Sequence, residues 1–182
     1  LFEGGMSMGG YISLRFALSH PERLSGLILM ATQVEQDPPE IASSYMELCN
    51  GWHNSLIKEE IISSLLPVFF GKNISEAAKW RQVWLRHEPE NIKLAMNAML
   101  ERDDISGKVH TIKTPTLILH GSGDTGIPLE KAFEMHKMIP HSELAVIPDA
   151  NHALNVTHAK EVNTILKNWL QKRTESKSNS YK

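Results

Sequence analysis

The chain has 182 residues, 41% apolar and 22% charged, with a formal net charge of −2. That length suits one domain with an insertion, and the near-neutral balance gives no electrostatic case for nucleic acid or an anionic membrane as partner. No apolar run approaches the roughly 20 residues that cross a bilayer. The single cysteine, Cys49, excludes an intrachain disulfide and fits a reducing, cytoplasmic setting as a small buried hydrophobe.

The chain starts at Leu1 rather than at a methionine, so any targeting signal is expected upstream of it. The stretch GGMSMGG, residues 4 to 10, sets Ser7 between glycines. Apolar positions at Ile12, Phe16, Ala17 and Leu18, stopped by His20-Pro21, predict a helix from Met8 to His20. LSGLILMAT, 24 to 32, is a continuous apolar run of strand length, the kind buried on both faces of a parallel sheet. From Gln33 to about His110 the apolar spacing is helical throughout. It predicts about four helices, rich in Trp and Met, with breaks near Gly51, Gly71 and Pro89. Strand and helix then alternate: TPTLILHG (114–121) as strand, 128–139 as helix, SELAVIPDA (142–150) as strand, 158–172 as amphipathic helix. Residues 173–182 lack apolar content and are expected to form a disordered tail. Alternation of this kind implies an open parallel sheet, whose ligand site lies beyond the carboxyl ends of the strands.

Three candidates fall there. A serine hydroxyl is a weak nucleophile until a neighbouring base takes its proton. Glycines around Ser7 permit a sharp strand-to-helix turn, and the helix N-terminus beginning at Met8 favours developing negative charge. Asp124 follows the strand TPTLILHG, where a carboxylate could orient an imidazole; a solvent-exposed turn Asp is the plainer alternative. His152 follows SELAVIPDA, and its ordinary titration range suits a general base. Of the other histidines, 20, 53, 87, 136, 141 and 158 read as surface residues, His110 as a linker residue and His120 as structural at a strand end. No metal-ligand spacing and no nucleotide-binding glycine loop stand out, so no metal and no cofactor are expected.

Taken together these stretches resemble the α/β-hydrolase family. GMSMGGYISLRFALSHPERLSGLILMAT is similar to its elbow, following helix and next strand, TPTLILHGSGDTGIP to its acid strand and loop, and ELAVIPDANHALNVTHAKEVNTILKNWL to its histidine loop and last helix. The chain order Ser7, Asp124, His152 is the order that family uses. The resemblance implies an α/β fold of the following kind: the C-terminal part of a mostly parallel sheet, residues 1–32 and 111–172, with a helical cap at 33–110 inserted. DPPE after LSGLILMAT, which stands as the family's sixth strand, and RDDISGKVHTIKTPTLILHG look most like enol-lactonase-type small-ester hydrolases.

The implied chemistry is hydrolysis of a small-molecule carboxylic ester or lactone through an acyl-enzyme, with Ser7 as nucleophile, His152 as base and Asp124 as its orienting acid. The N–H of Met8 would be one oxyanion donor; the second would come from a loop ahead of Leu1, of whose preceding strands only Leu1 and Phe2 are expected here. Trp52, Trp80 and Trp84, with Met96, are candidates for an apolar substrate pocket, although packing of the cap is the plainer role for each; Arg81 or Arg86 are candidates for binding a substrate carboxylate. Asn151 stands where the family usually has glycine, and Asn tolerates left-handed backbone. Two alternatives stay open: a truncated, non-catalytic protein of this fold, and the same residues used for carbon–carbon bond hydrolysis or perhydrolysis.

Overall fold

A computed structural model describes residues 1–179. Four parallel strands form one sheet in the spatial order of the sequence: β1 (Phe2–Met6), β2 (Gly26–Met30), β3 (Thr116–Gly121) and β4 (Ser142–Ile147). The register pairs Phe2 with Gly26, Leu27 with Thr116, and Thr116 with Ser142. All four carboxyl ends therefore emerge along one edge, and the loops that follow them share a single rim.

The apolar runs explain why these strands lie at the centre. In β2, Leu27 and Leu29 join Ile118 of β3 on one face, packed against α1 (Met8–Ser19) and α6 (Leu129–Met138) through Leu14, Ala17, Ala132 and Met135. On the other face Leu117, Leu119 and Ile147 meet α7 (Leu154–Thr157) and α8 (Ala159–Asn179) through Leu154, Val162 and Trp169. Each such aliphatic side chain, withdrawn fully from water, contributes about 1.5–3 kcal/mol before chain entropy is subtracted. Alternate residues of β3 point to opposite clusters, and all six are buried, so a continuous apolar run is what this position demands.

Between β2 and β3 lie four helices, α2 (Pro39–Gly51), α3 (Ser55–Phe70), α4 (Ile74–Trp84) and α5 (Pro89–Leu100). Two starts are set by side chains: Asn54 Oδ1 accepts from the Leu56 and Ile57 N–H groups, and Asn73 Oδ1 from Glu76 N–H. The insertion has its own cluster around Trp52, Ile61 and Ile62. Ile105 and Val109, at its C-terminal end, pack instead into the cluster on the sheet.

Two expectations are corrected. The strand ahead of Ser7 is longer than Leu1 and Phe2: the whole of FEGGM pairs with β2, because backbone pairing needs no apolar side chains where glycines let the chain extend. The tail also differs. α8 runs on to Asn179, so residues 173–179 continue the helix with Arg173 tied to Glu143 and stacked on Trp169. Arg, Glu and Lys are good helix formers, and helix continuation needs no buried face. Residues 180–182 of the expected tail lie outside the described residues. Among the described residues no helix is long and apolar enough to cross a membrane.

Candidate active site

Ser7 sits at the turn from β1 into α1 with φ 52° and ψ −118°. This is the conformation of the first central residue of a type II′ turn, which L side chains avoid. Such backbone costs on the order of 1–3 kcal/mol and persists only where the surroundings over-determine it. Here they do: Ser7 N–H donates to Met30 O at 2.9 Å, and Thr32 Oγ1 donates to Ser7 O at 2.9 Å. Gly5 is required by close approach, since a Cβ there would overlap the Gly9 carbonyl group. A Cβ at Gly9 would meet nothing, so the glycine that completes the G-x-S-x-G pattern is not the one that sterics demand.

Asp124 follows β3 and its side chain is fully buried. One carboxylate oxygen accepts from the Gly126 and Ile127 N–H groups at 2.9 and 3.0 Å. The other lies 2.8 Å from His152 Nδ1. With an acceptor-only carboxylate facing Nδ1, that nitrogen carries the proton and Nε2 is left as the basic face of the ring. His152 is itself 4% exposed. Phe69 packs edge-on to its ring, centroids 4.9 Å apart.

The imidazole is also held through its backbone. The last carbonyls of a helix lack intrahelical partners. Those of α3 find them in the histidine loop: His152 N–H donates to Val68 O at 3.2 Å, and Ala153 N–H to Phe69 O at 2.9 Å. Gly71 closes α3 with φ 56°, and its Cα lies so near Asn151 that a Cβ would overlap Asn151 Oδ1. Asn151 Nδ2 in turn donates to Gly123 O at 3.0 Å. The left-handed residue of this loop is Asp149, φ 58°, and not Asn151, whose side chain is used as a strut.

His120, on β3, is completely buried. Its Nε2 lies 2.8 Å from Ile127 O, so it donates there and steadies the residue whose N–H binds Asp124. Nε2 is also 3.5 Å from the Asp124 oxygen that faces His152. Burial holds its pKa below the ordinary value, partly offset by the bond to Ile127 and by Asp124.

Ser7 and His152 line one cavity of about 200 Å³ between the sheet rim and the inserted helices. Its wall is mostly apolar, including Leu65, Val68, Phe69, Met96 and Trp52. The structure thus places Trp52 and Met96 at the cavity. It places Trp80 and Trp84 elsewhere: Trp84 packs edge-on to Phe69 and supports the wall from behind, and Trp80 stacks on Phe70, outside the lining. Arg81 is spent on Glu59 and Ser63, and Arg86 is exposed outside the lining. Met8 has its N–H at the start of α1, while its side chain faces a different groove, beside Ile12 and Arg15. The sequence reading missed Tyr11, Asp37 and Tyr45 in the cavity wall. Tyr11 was within reach of such reasoning, being one helical turn after Ser7 on the same helix. Among the described residues no group of three or more His, Cys, Asp and Glu side chains could hold a metal ion.

A parallel sheet whose successive carboxyl-end loops carry a serine elbow, a buried acid and a histidine, with helices inserted after the second strand, is the arrangement of an α/β-hydrolase. A family model described as Serine aminopeptidase, S33, matches residues 1–156, and the chain belongs to this α/β-hydrolase family. It is similar in structure to a thermophilic esterase from Thermogutta terrifontis, with TM-score 0.87, 31% identity, and coverage of 95% of this chain and 65% of that one. The enol-lactonase from Burkholderia xenovorans LB400 shares the fold at TM-score 0.81 and 22% identity, over 92% of this chain and 64% of that one. Among curated relatives, a pimeloyl-(acyl-carrier protein) methyl ester esterase from Wigglesworthia glossinidia brevipalpis is 27% identical over 92% of this chain and 69% of its own length. The chain thus spans about two thirds of the length of these proteins.

Proposed function

We propose that the protein is a serine hydrolase of carboxylic esters or lactones, with Ser7, His152 and Asp124 as its triad. One observation carries this reading: a buried Asp124–His152 pair at 2.8 Å opens onto the same cavity as Ser7, which is held in strained elbow backbone. In the proposed mechanism His152 Nε2 takes the Ser7 proton as Oγ attacks the carbonyl carbon. Asp124 stabilises the imidazolium that forms, and the Met8 N–H at the head of α1 donates to the oxyanion. His152 then protonates the leaving alcohol or enol, and water repeats the sequence on the acyl-enzyme.

The inserted helices, residues 33–110 in this reading, act as a cap whose apolar wall receives the non-reacting part of the substrate. Trp52 is the tryptophan assigned to that role. The lone, buried Cys49 supports a cytoplasmic setting. The test is reaction with a fluorophosphonate probe. Labelling of the wild-type protein should vanish in Ser7→Ala; labelling that persists in the variant would assign the nucleophile elsewhere.

A further inference from the structure

Away from Ser7 and His152, the cavity wall is mostly apolar except at one place. There Tyr11, Tyr45 and Asp37 line the cavity, and among the described residues neither phenol hydroxyl has a hydrogen-bond partner. The Arg102 guanidinium touches both Asp37 and the Tyr11 ring, which sets those two groups side by side, and Tyr45 lines the same cavity. Burial is the main cause that raises both phenol pKa values, so both remain protonated donors. Asp37 is fixed in place: Gln33 Nε2 donates to one oxygen at 3.0 Å, and the Arg102 guanidinium, 4% exposed, to the other at 3.0 Å. Arg102 also stacks over the Tyr11 ring at 4.0 Å, which locks that ring's plane. Yet Arg102 is not in the cavity wall, and among the described residues no lysine or arginine is.

Two free donors beside one carboxylate acceptor match a particular ligand group. A hydroxyl accepts two hydrogen bonds and donates one. A carboxylate would lie against Asp37 with no cation in the wall to receive it, and a bare alkyl chain would leave two phenols desolvated and unpaired. Tyr11 lies four residues beyond Ser7, about 6 Å along α1 at 1.5 Å per residue, which places this polar spot a few bonds from the reacting carbonyl. We infer that the cavity takes an uncharged ester carrying a hydroxyl group on its acyl chain, the Tyr11 and Tyr45 hydroxyls donating to that oxygen and Asp37 accepting its proton. This deepens the serine-hydrolase reading and rests on it for turnover, though not for binding.

The test compares kcat/KM, by titration of released acid, for ethyl hexanoate, its 3-, 4- and 5-hydroxy derivatives and the anionic monoethyl ester of adipic acid. The best hydroxy ester should exceed ethyl hexanoate by about tenfold or more, since partners left unpaired in a buried site are costly. The adipate ester should fall below both. In Tyr11→Phe and in Tyr45→Phe the hydroxy-to-plain ratio should drop several-fold. A ratio near one in the wild type, a preference for the adipate ester, or a ratio unmoved in both variants would overturn the inference. Binding of the same esters to Ser7→Ala, read from tryptophan fluorescence with Trp52 in the wall, separates the two claims. Tighter binding of a hydroxy ester without turnover in the wild type supports this inference and sinks the nucleophile assignment, whereas equal binding of all esters sinks the inference.

Discussion

Replacing Gly71 by alanine perturbs the junction that ties the inserted helices to the histidine loop. Two effects add. An alanine forced to φ 56° costs about 1–3 kcal/mol. The new Cβ also overlaps Asn151 Oδ1, and moving that side chain breaks its bond to Gly123 O, worth about 1 kcal/mol net. The sum is roughly 2–4 kcal/mol. In a chain of 182 residues, each kcal/mol lowers Tm by about 2–4 °C, so a fall of roughly 4–16 °C is predicted by circular dichroism. Because Val68 O and Phe69 O hold the His152 and Ala153 N–H groups, the same variant should lose kcat with its α3 terminus displaced. Asn151→Ala removes the group that clashes, so the double variant should lose about 1 kcal/mol less than the two single losses combined. A Gly71→Ala melting temperature within 1–2 °C of wild type, about the change that half a kcal/mol makes, would refute the account of this junction.

Asp124→Asn keeps the side chain's shape but offers His152 Nδ1 an amide, which favours the wrong tautomer; kcat for ester hydrolysis should fall by about 10³–10⁴, and unchanged turnover would move the acid role elsewhere. His120→Leu should lower kcat more than KM rises, because the loop that steadies Asp124 loses its tie at Ile127. His120→Gln, whose amide nitrogen can occupy the Nε2 position, should recover most of that loss, and failure of the glutamine to outperform leucine would count against a positioning role. His120 also sets a pH effect on stability. Its folded pKa lies below the ordinary 6.5, so the unfolded chain binds a proton that the folded chain refuses. Its contribution is therefore present above about pH 6.5 and lost as pH falls below it. His120→Gln should flatten the acid side of a Tm-against-pH curve, and an unaltered slope would contradict this.

Much of this molecule is legible in the residues. LSGLILMAT and TPTLILHG read as strands because a parallel sheet covered on both faces needs unbroken apolar runs. Ser7, Asp124 and His152 stand out because each follows a strand end, which is where an open sheet gathers its loops. FEGGM does not read as a strand, since its pairing rests on backbone bonds to β2 and not on side chains. The tie between α3 and the histidine loop is likewise invisible, because it joins carbonyls to N–H groups over 80 residues of chain and every residue type but proline supplies both. Trp80 and Trp84 illustrate a third limit: helical periodicity shows that a ring lies on the packed side of its helix, but not whether it faces a cavity or other rings. Tyr11, Asp37 and Tyr45 come from two helices and a loop, and only the fold assembles them.

The most direct measurement of the central claim is where the acyl group lands. Cys49 lines the same cavity as Ser7, but burial raises its thiol pKa and keeps it protonated, so it should not compete. Peptide mass spectrometry after acid quenching of the reaction with p-nitrophenyl butyrate should place a butyryl group on the peptide that carries Ser7, and none should form in Ser7→Ala. A butyryl group on Cys49, or steady turnover in Ser7→Ala, would contradict the account.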